Sequence, residues 1–321
     1  MARILPTAVE LSPRGQIVTA VALALLTAAC TGAEPTHSAQ ELESHRQAVL
    51  TWREDRLQRL VAPDSWLSVV GLYWLDAGQT TFGAGGSADV IFPPHPTLEG
   101  EPGVLGTITL SSETLTLDAA PGATIISSGE PVSHLEIVTD QGENTSYFHA
   151  GPFQFHLIER QGRFGLRLKD LTRAERLEPP QITHFPIDYK WRVNAHFEPY
   201  DPPRTLAVPT ILGTVNQSSS PGALIFEIDG REHRLETIDS GERLMLVFAD
   251  QTSGKETYGG GRYIYTPKSD PEGYVTIDFN TAYNPPCVFT AYATCFLPPK
   301  ENRLDLRLEA GEKMVEGYIE H

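Results

Sequence analysis

Six polar residues near the C-terminal end of the chain stand beside residues that restrict the backbone. In the run Val275-Thr276-Ile277-Asp278-Phe279-Asn280, strand alternation sends Val275, Ile277 and Phe279 to one face and Thr276, Asp278 and Asn280 to the other. Asn284 follows at a rigid Asn-Pro-Pro turn. Asp250 ends an almost wholly apolar run at 244–249, a place where sheets present side chains at a rim. Arg262 follows three glycines that allow close backbone approach, and Glu312 follows Gly311. Gathered around one pocket, Asp250, Arg262, Asp278, Asn280, Asn284 and Glu312 could supply a general acid and base, the chemistry of a hydrolase. The same carboxylate and amide oxygens could hold a hard divalent cation such as calcium, and no other cofactor is evident. A structural reading uses these residues differently: Arg262 pairs with Asp250 or Asp278, and the Asn side chains cap turns. Both readings stand at this point.

Other groups are weaker candidates. Thr252-Ser253-Gly254 lacks the Gly-x-Ser-x-Gly elbow of a serine hydrolase, and no histidine lies near it in sequence. The histidines at 134, 149, 156, 184, 196 and 233 are scattered, with no pair at metal-ligand spacing. Gly259-Gly260-Gly261 opens no helix and so makes no phosphate loop. Trp66, Tyr73, Trp74 and Trp191 could stack on sugars, but their apolar neighbours place them in the core. Cys287 and Cys295 form a candidate disulfide, whose short loop implies on the order of 2–3 kcal/mol of stabilisation.

The ends and the composition set the compartment. Arg3 and Arg14 give a basic start, residues 17–29 are apolar, and Thr27-Ala28-Ala29-Cys30 closes with small residues, the order of a secretory signal peptide. That apolar run is about 13 residues, short of the roughly 20 a spanning helix needs. Cys30 after two alanines resembles the lipobox of bacterial lipoproteins, with Thr27 where leucine is usual. The expectation is an exported protein held by lipid on Cys30 at the bacterial envelope, facing the periplasm or the exterior. Ordinary cleavage to a soluble secreted protein is the alternative. The net charge of −16, with no basic run, argues against nucleic acid and against attraction to anionic lipid, leaving the anchor as the membrane contact.

The elements that must position the candidate residues are mostly strands. With 27 glycines and 25 prolines and few long helical patterns, the chain reads as a turn-rich β protein. After a signal peptide at 1–29 and a tether at 30–37, a capping box at Ser38 and Glu41 opens an amphipathic helix over 38–62. Its apolar face takes Leu42, His45, Val49, Trp52, Arg56 and Leu60. From Trp66 the period changes to two, and short strands separated by Gly and Pro follow at 89–92, 106–110, 114–117, 124–126, 134–138, 153–159 and 164–169. Residues 63–174 make a first β domain, 175–180 a proline-bearing linker, and 181–321 a second β domain. The second contains strands at 190–197, 204–210, 223–228, 231–237, 244–249, 261–265, 274–279 and 303–309. Two sandwich- or barrel-like regions are predicted.

Long motifs carry a resemblance. Trp52-Arg53, Trp66 through Leu75, Phe82-Gly83 and Asp89-Val90-Ile91-Phe92-Pro93 resemble the opening of an uncharacterised bacterial family, domain of unknown function 1684. The closing motifs are denser: 248–254, Thr257-Tyr258, Gly261-Arg262-Tyr263, 278–287, Thr294-Cys295, Pro298-Pro299, Asn302 and 310–313. Phe296 departs from the pattern, which has proline there. The resemblance implies a shared fold and no established reaction. The first β region is also similar, in the order of Gly78, Phe82-Gly83, 89–93 and Gly151, to forkhead-associated sandwiches. Ala84 takes the place of their phosphate-binding arginine, so phosphopeptide binding is not expected. The functional expectation is an envelope lipoprotein that binds a small ligand or glycan, or scaffolds an envelope protein. A hydrolase using carboxylates around Asp278 is the alternative.

Overall fold

A computed structural model describes residues 37–111 and 114–315. The expected signal peptide with its cleavage site and Cys30 lies outside the described residues. The chain divides into Met1–Ala39 and Gln40–His321, and the second unit holds all the sheets and all six candidate residues.

Helix α1 spans Ala39–Leu60, with Glu41 in its first turn and Arg59 in its last, the charge order a helix dipole favours. The inward side carries His45, Val49 and Leu60, with Trp52, Arg53 and Arg56 half-buried beside them. Leu42, expected on this side, is exposed, as are Leu50 and Leu57. Polar bonds therefore carry much of the docking. Arg53 donates to the Phe185 carbonyl at 3.1 Å, and Arg56 donates to the Asn284 carbonyl at 3.2 Å.

The described residues are mostly β, in four sheets, none closed into a barrel. A six-stranded sheet runs in the order Val69–Leu75, Arg163–Asp170, Phe153–Arg160, Phe148–Ala150, Ile126–Ser127, Glu130–Pro131. A five-stranded sheet runs Val90–Ile91, Gly78–Gly83, Gly106–Leu110, Leu115–Ala119, His134–Glu136. The two share one core, in which the rings of Phe82, Phe92, Phe148, Phe153 and Phe155 lie within 5.0–5.8 Å of one another in successive pairs. Alternation places Phe155, Leu157, Leu166 and Leu168 in that core and turns His156, Ile158 and Arg167 to the opposite face, where they are nonetheless buried. Trp66 does not begin a strand. Trp66–Ser68 is a 3₁₀ turn capped by Ser65, and pairing starts at Val69.

The remaining sheets are a four-stranded one, Arg231–Glu236, Val215–Ile228, Arg192–Pro209, Tyr274–Asp278, and a three-stranded one, Ile238–Ser240, Arg243–Phe248, Arg262–Pro267. The runs expected separately at 190–197 and 204–210 belong to one strand, interrupted by a register shift between Pro199 and Arg204. The apolar run at 244–249 has a plain cause. Leu244, Leu246 and Phe248 enter a core with Phe226 and Phe279, while Met245 and Val247 enter another with Val208, Cys287 and Cys295. A strand buried on both faces needs apolar residues at every position.

Residues 303–309 form no strand, contrary to expectation. Leu304 and Leu308 are buried at alternate positions, yet the backbone meets the Ala249 carbonyl, the Gln251 amide and side-chain donors rather than a continuous ladder.

Candidate functional site

The six candidate residues form three polar clusters. Asp278 ends its strand and caps the 3₁₀ turn Phe279–Thr281, accepting from the Asn280 amide at 3.0 Å and from Asn280 Nδ2 at 2.9 Å. Strand alternation thus stops at Asp278, and Asn280 is its neighbour through a turn rather than along a strand face. The other Asp278 oxygen lies 2.7 Å from His45 Nε2 of helix α1. Asn280, wholly buried, exchanges two bonds with the Asp188 backbone, at 2.9 and 3.1 Å.

The second cluster is a fully enclosed ion pair. Arg262 Nη2 donates to Asp250 Oδ2 at 2.7 Å, and both side chains are 0% exposed. The same guanidinium donates to the carbonyls of Leu308, at 3.2 Å, and Ala310. Asp250 Oδ1 accepts from the Thr252 amide at 2.7 Å. Burial draws the Arg262 pKa down and the adjacent Asp250 opposes it. The third cluster joins Glu312, Asn284 and Arg56. Glu312 Oε2 accepts from the Asn284 amide at 2.7 Å, its Oε1 lies 3.3 Å from Arg56 Nε, and Asn284 Nδ2 donates to the Lys313 carbonyl at 2.8 Å. Glu312 is fully buried, which pushes its pKa up against the pull of Arg56.

Gly311 makes the last turn possible. Its φ is +76°, and an added Cβ would stand 2.4 Å from the Ala282 carbonyl oxygen. Gly311→Ala is expected to cost about 2 kcal/mol or more, read as a lowered urea midpoint at unchanged slope.

An open cleft of about 1120 Å³ adjoins the third cluster through Arg56, and none of the six candidates lines it. Its walls come from the end of α1 (Trp52, Arg56, Arg59), the Trp66 turn, the hairpin at 159–162, the strand pair carrying Arg243 and Tyr265, and the loop carrying Tyr283, Phe289, Thr294 and Cys295. Guanidinium groups stack on aromatic rings within it. Arg243 lies 4.4 Å over Tyr265, and Arg56 lies 4.8 Å over Tyr283 and 5.6 Å over Phe289. Arg160 is fixed by Asp140 at 2.8 Å and by Thr294 Oγ1 at 3.2 Å. Behind Trp66, Arg167 places its guanidinium 5.1 Å over the indole; it is 5% exposed, and its Nε and Nη2 have no acceptor. Burial, then Arg160, lowers its pKa to about 10, still charged at neutral pH.

The sequence comparison decides the relationship of the C-terminal part. The family described as Protein of unknown function (DUF1684) matches residues 180–313. The similarity to that family covers residues 180–313, less than half of the chain. The opening motifs at Trp52, Trp66–Leu75 and 82–93 precede the matched segment, so the match is shorter than the resemblance implied. No curated protein matches the chain. Among solved structures, an uncharacterized protein of Haloarcula marismortui, determined by solution NMR, is 26% identical, with 44% of this chain and 79% of that chain covered and a TM-score of 0.36.

All six candidate residues belong to the DUF1684 segment, and so do Cys287 and Cys295. The expected bridge is not formed: both thiols are free and buried, with the Cys287 amide donating to Cys295 Sγ at 3.0 Å. Burial raises the Cys295 pKa, while the neighbouring Cys295 thiol lowers that of Cys287. A thiol count on unfolded protein is expected to return both as free. Among the described residues no three His, Cys, Asp or Glu side chains gather as a metal site. Trp191 is core, as expected, and Trp66 packs against the core while also lining the cleft. Sequence reasoning missed Arg59, Arg160, Arg167 and Arg243, because their grouping depends on contacts between distant segments.

His156, on the face shared with Arg167, is pushed down to about 4 by burial and then by Arg167, Lys169 and Arg160. His184 is lowered to about 4 by burial and Arg53. Each stays neutral in the fold where the unfolded chain already takes a proton. Their contribution is therefore complete above pH 6.5 and is lost as pH falls toward 4. Urea titrations should show stability falling through that window by about 1.4 kcal/mol per pH unit for each histidine, and more gently in His156→Gln.

Proposed function

We propose that this is a non-catalytic binding protein that holds a small ligand in the cleft between helix α1, the hairpin at 159–162 and the DUF1684 segment. One observation carries the reading: Asp278, Glu312 and Asp250 are engaged with His45, Arg56 and Arg262, and none of these carboxylates lines the cleft. The cleft offers flat, partly exposed faces, Trp52, Trp66 and Tyr265 among them, that suit a ring system or a sugar. Its volume suits a ligand of metabolite or short-glycan size.

The test is a thermal-shift screen of metabolites and oligosaccharides against wild type and Asp278→Asn. The binding reading expects Asp278→Asn to lower the melting temperature by several degrees, through loss of charge opposite His45, while the ligand-induced rise persists. An unchanged melting temperature with the rise abolished would favour a site at Asp278.

For the cell we propose export and lipid anchoring through Cys30, which the tripartite leader supports. Metabolic labelling with a clickable fatty acid should mark wild type and leave Cys30→Ala unlabelled. A labelled Cys30→Ala would overturn the anchor.

A further inference from the structure

We infer that the ligand of this cleft carries an anionic group, a phosphate or carboxylate, received between Arg59 and Arg243 with Arg167 supporting it from behind; this rests on the binding reading above. The chain as a whole has 41 acidic against 25 basic residues, so its general surface repels anions. The cleft reverses that balance. Arg56, Arg59, Arg160 and Arg243 line it, against the single carboxylate of Glu159.

Two of the four arginines are already neutralised, Arg56 by Glu312 and Arg160 by Asp140. Among the described residues, Arg59 and Arg243 have no carboxylate partner, and both are exposed to the opening. Stacking on Tyr265 fixes the plane of Arg243 and leaves its N–H edge free, the arrangement that suits a bidentate oxyanion.

Arg167 is the independent observation. It is 5% exposed, has no carboxylate within ion-pair distance among the described residues, and leaves two nitrogens without acceptors behind the Trp66 wall. An uncompensated buried cation is costly, and an anion in the adjoining space offsets that cost. Its neighbours add to the field: Arg160 and Lys169 are cationic, and Asp140 is the carboxylate that opposes them.

The experiment titrates full-length protein by calorimetry with inorganic phosphate, pyrophosphate, citrate and a neutral trisaccharide, in wild type, Arg59→Gln, Arg243→Gln and a remote control, Lys300→Gln. The expected result is saturable binding of an anion that weakens as salt rises. The affinity should fall at least about tenfold in Arg243→Gln or Arg59→Gln, which sit on exposed positions and fold normally, and should be unchanged in Lys300→Gln. Preference for pyrophosphate over citrate, or the reverse, assigns phosphate or carboxylate. No saturable binding of any anion overturns the inference. So does equal binding by wild type and both arginine variants. Trisaccharide binding that persists unchanged in both variants, with no anion bound, would keep the cleft as a site and remove the anion from it.

Discussion

Arg262→Met lowers the free energy of unfolding by about 3–5 kcal/mol, the usual cost of leaving one member of a buried pair alone. The size follows from what the guanidinium does. It neutralises Asp250 at 2.7 Å where neither side chain meets solvent, and it satisfies the carbonyls of Leu308 and Ala310. Removing it leaves a carboxylate and two carbonyls in a dry interior. Asp250→Asn in the same chain removes the stranded charge and keeps an acceptor for the Thr252 amide. The double variant should therefore recover about 1–3 kcal/mol, while the carbonyls of 308 and 310 remain without their donor. Equilibrium urea unfolding of the four proteins in the cycle measures this. A single variant within about 1 kcal/mol of wild type would refute the clamp, since polar groups at an accessible site tolerate such a loss.

Arg56→Met is the second large effect, expected at about 2–4 kcal/mol at neutral pH. Arg56 reaches from helix α1 to Glu312 and to the Asn284 carbonyl, so its loss strands a wholly buried glutamate and loosens the helix. The pH dependence gives the cause away. Burial already raises the Glu312 pKa, and without Arg56 it rises further. A carboxyl whose folded pKa exceeds its unfolded value binds more protons in the fold, so stability increases as pH falls toward the unfolded value near 4.5. The penalty in Arg56→Met should therefore shrink as pH falls toward about 4.5. Arg56→Met/Glu312→Gln, whose buried amide carries no charge, should show no such relief. A penalty independent of pH would mean that Arg56 acts through packing alone.

Much of the fold was legible because local rules governed it. Helix α1 is marked by periodicity at His45, Val49, Trp52, Arg56 and Leu60, a pattern the structure keeps apart from exposed Leu42. Strand patterns around Phe82, Phe155 and Leu166 follow the side turned to the phenylalanine core, and the unbroken apolar run at 244–249 reflects two apolar cores. The misreading at 303–309 has a specific origin. Its leucines alternate like those of a strand, but an arginine 46 residues away supplies the donor to Leu308 that a neighbouring strand would have given. Alternation records burial and does not record which partner satisfies the backbone.

The candidate site was legible in its members and not in their role. Residues Asp250, Arg262, Asp278, Asn280, Asn284 and Glu312 do make polar contacts in and around the DUF1684 turns. The partners that close the clusters are remote: His45 stands 233 positions from Asp278, and Arg56 stands 228 from Asn284. No spacing rule links them. The cleft was hidden for the same reason, since α1, the 159–162 hairpin and the loop around Thr294 meet only in the folded chain. Trp66 illustrates the limit. It packs against the core of Met245, Val247 and Cys295 as its apolar neighbours imply, and the 3₁₀ turn also sets its ring against Arg167 and the opening.

The four tryptophans show most directly where ligand binds. Trp52 and Trp66 line the cleft, Trp74 stacks with Arg163 outside it, and buried Trp191 adjoins Arg192, the strand partner of Asp278. Fluorine NMR of 5-fluorotryptophan-labelled protein, titrated with a hit from the thermal-shift screen, reads all four positions at once. Binding in the cleft moves the Trp52 and Trp66 resonances along a common saturation curve while Trp74 and Trp191 stay still. Movement of Trp191 with Trp52 and Trp66 unchanged would place the ligand at the Asp278 cluster and refute the cleft as its site.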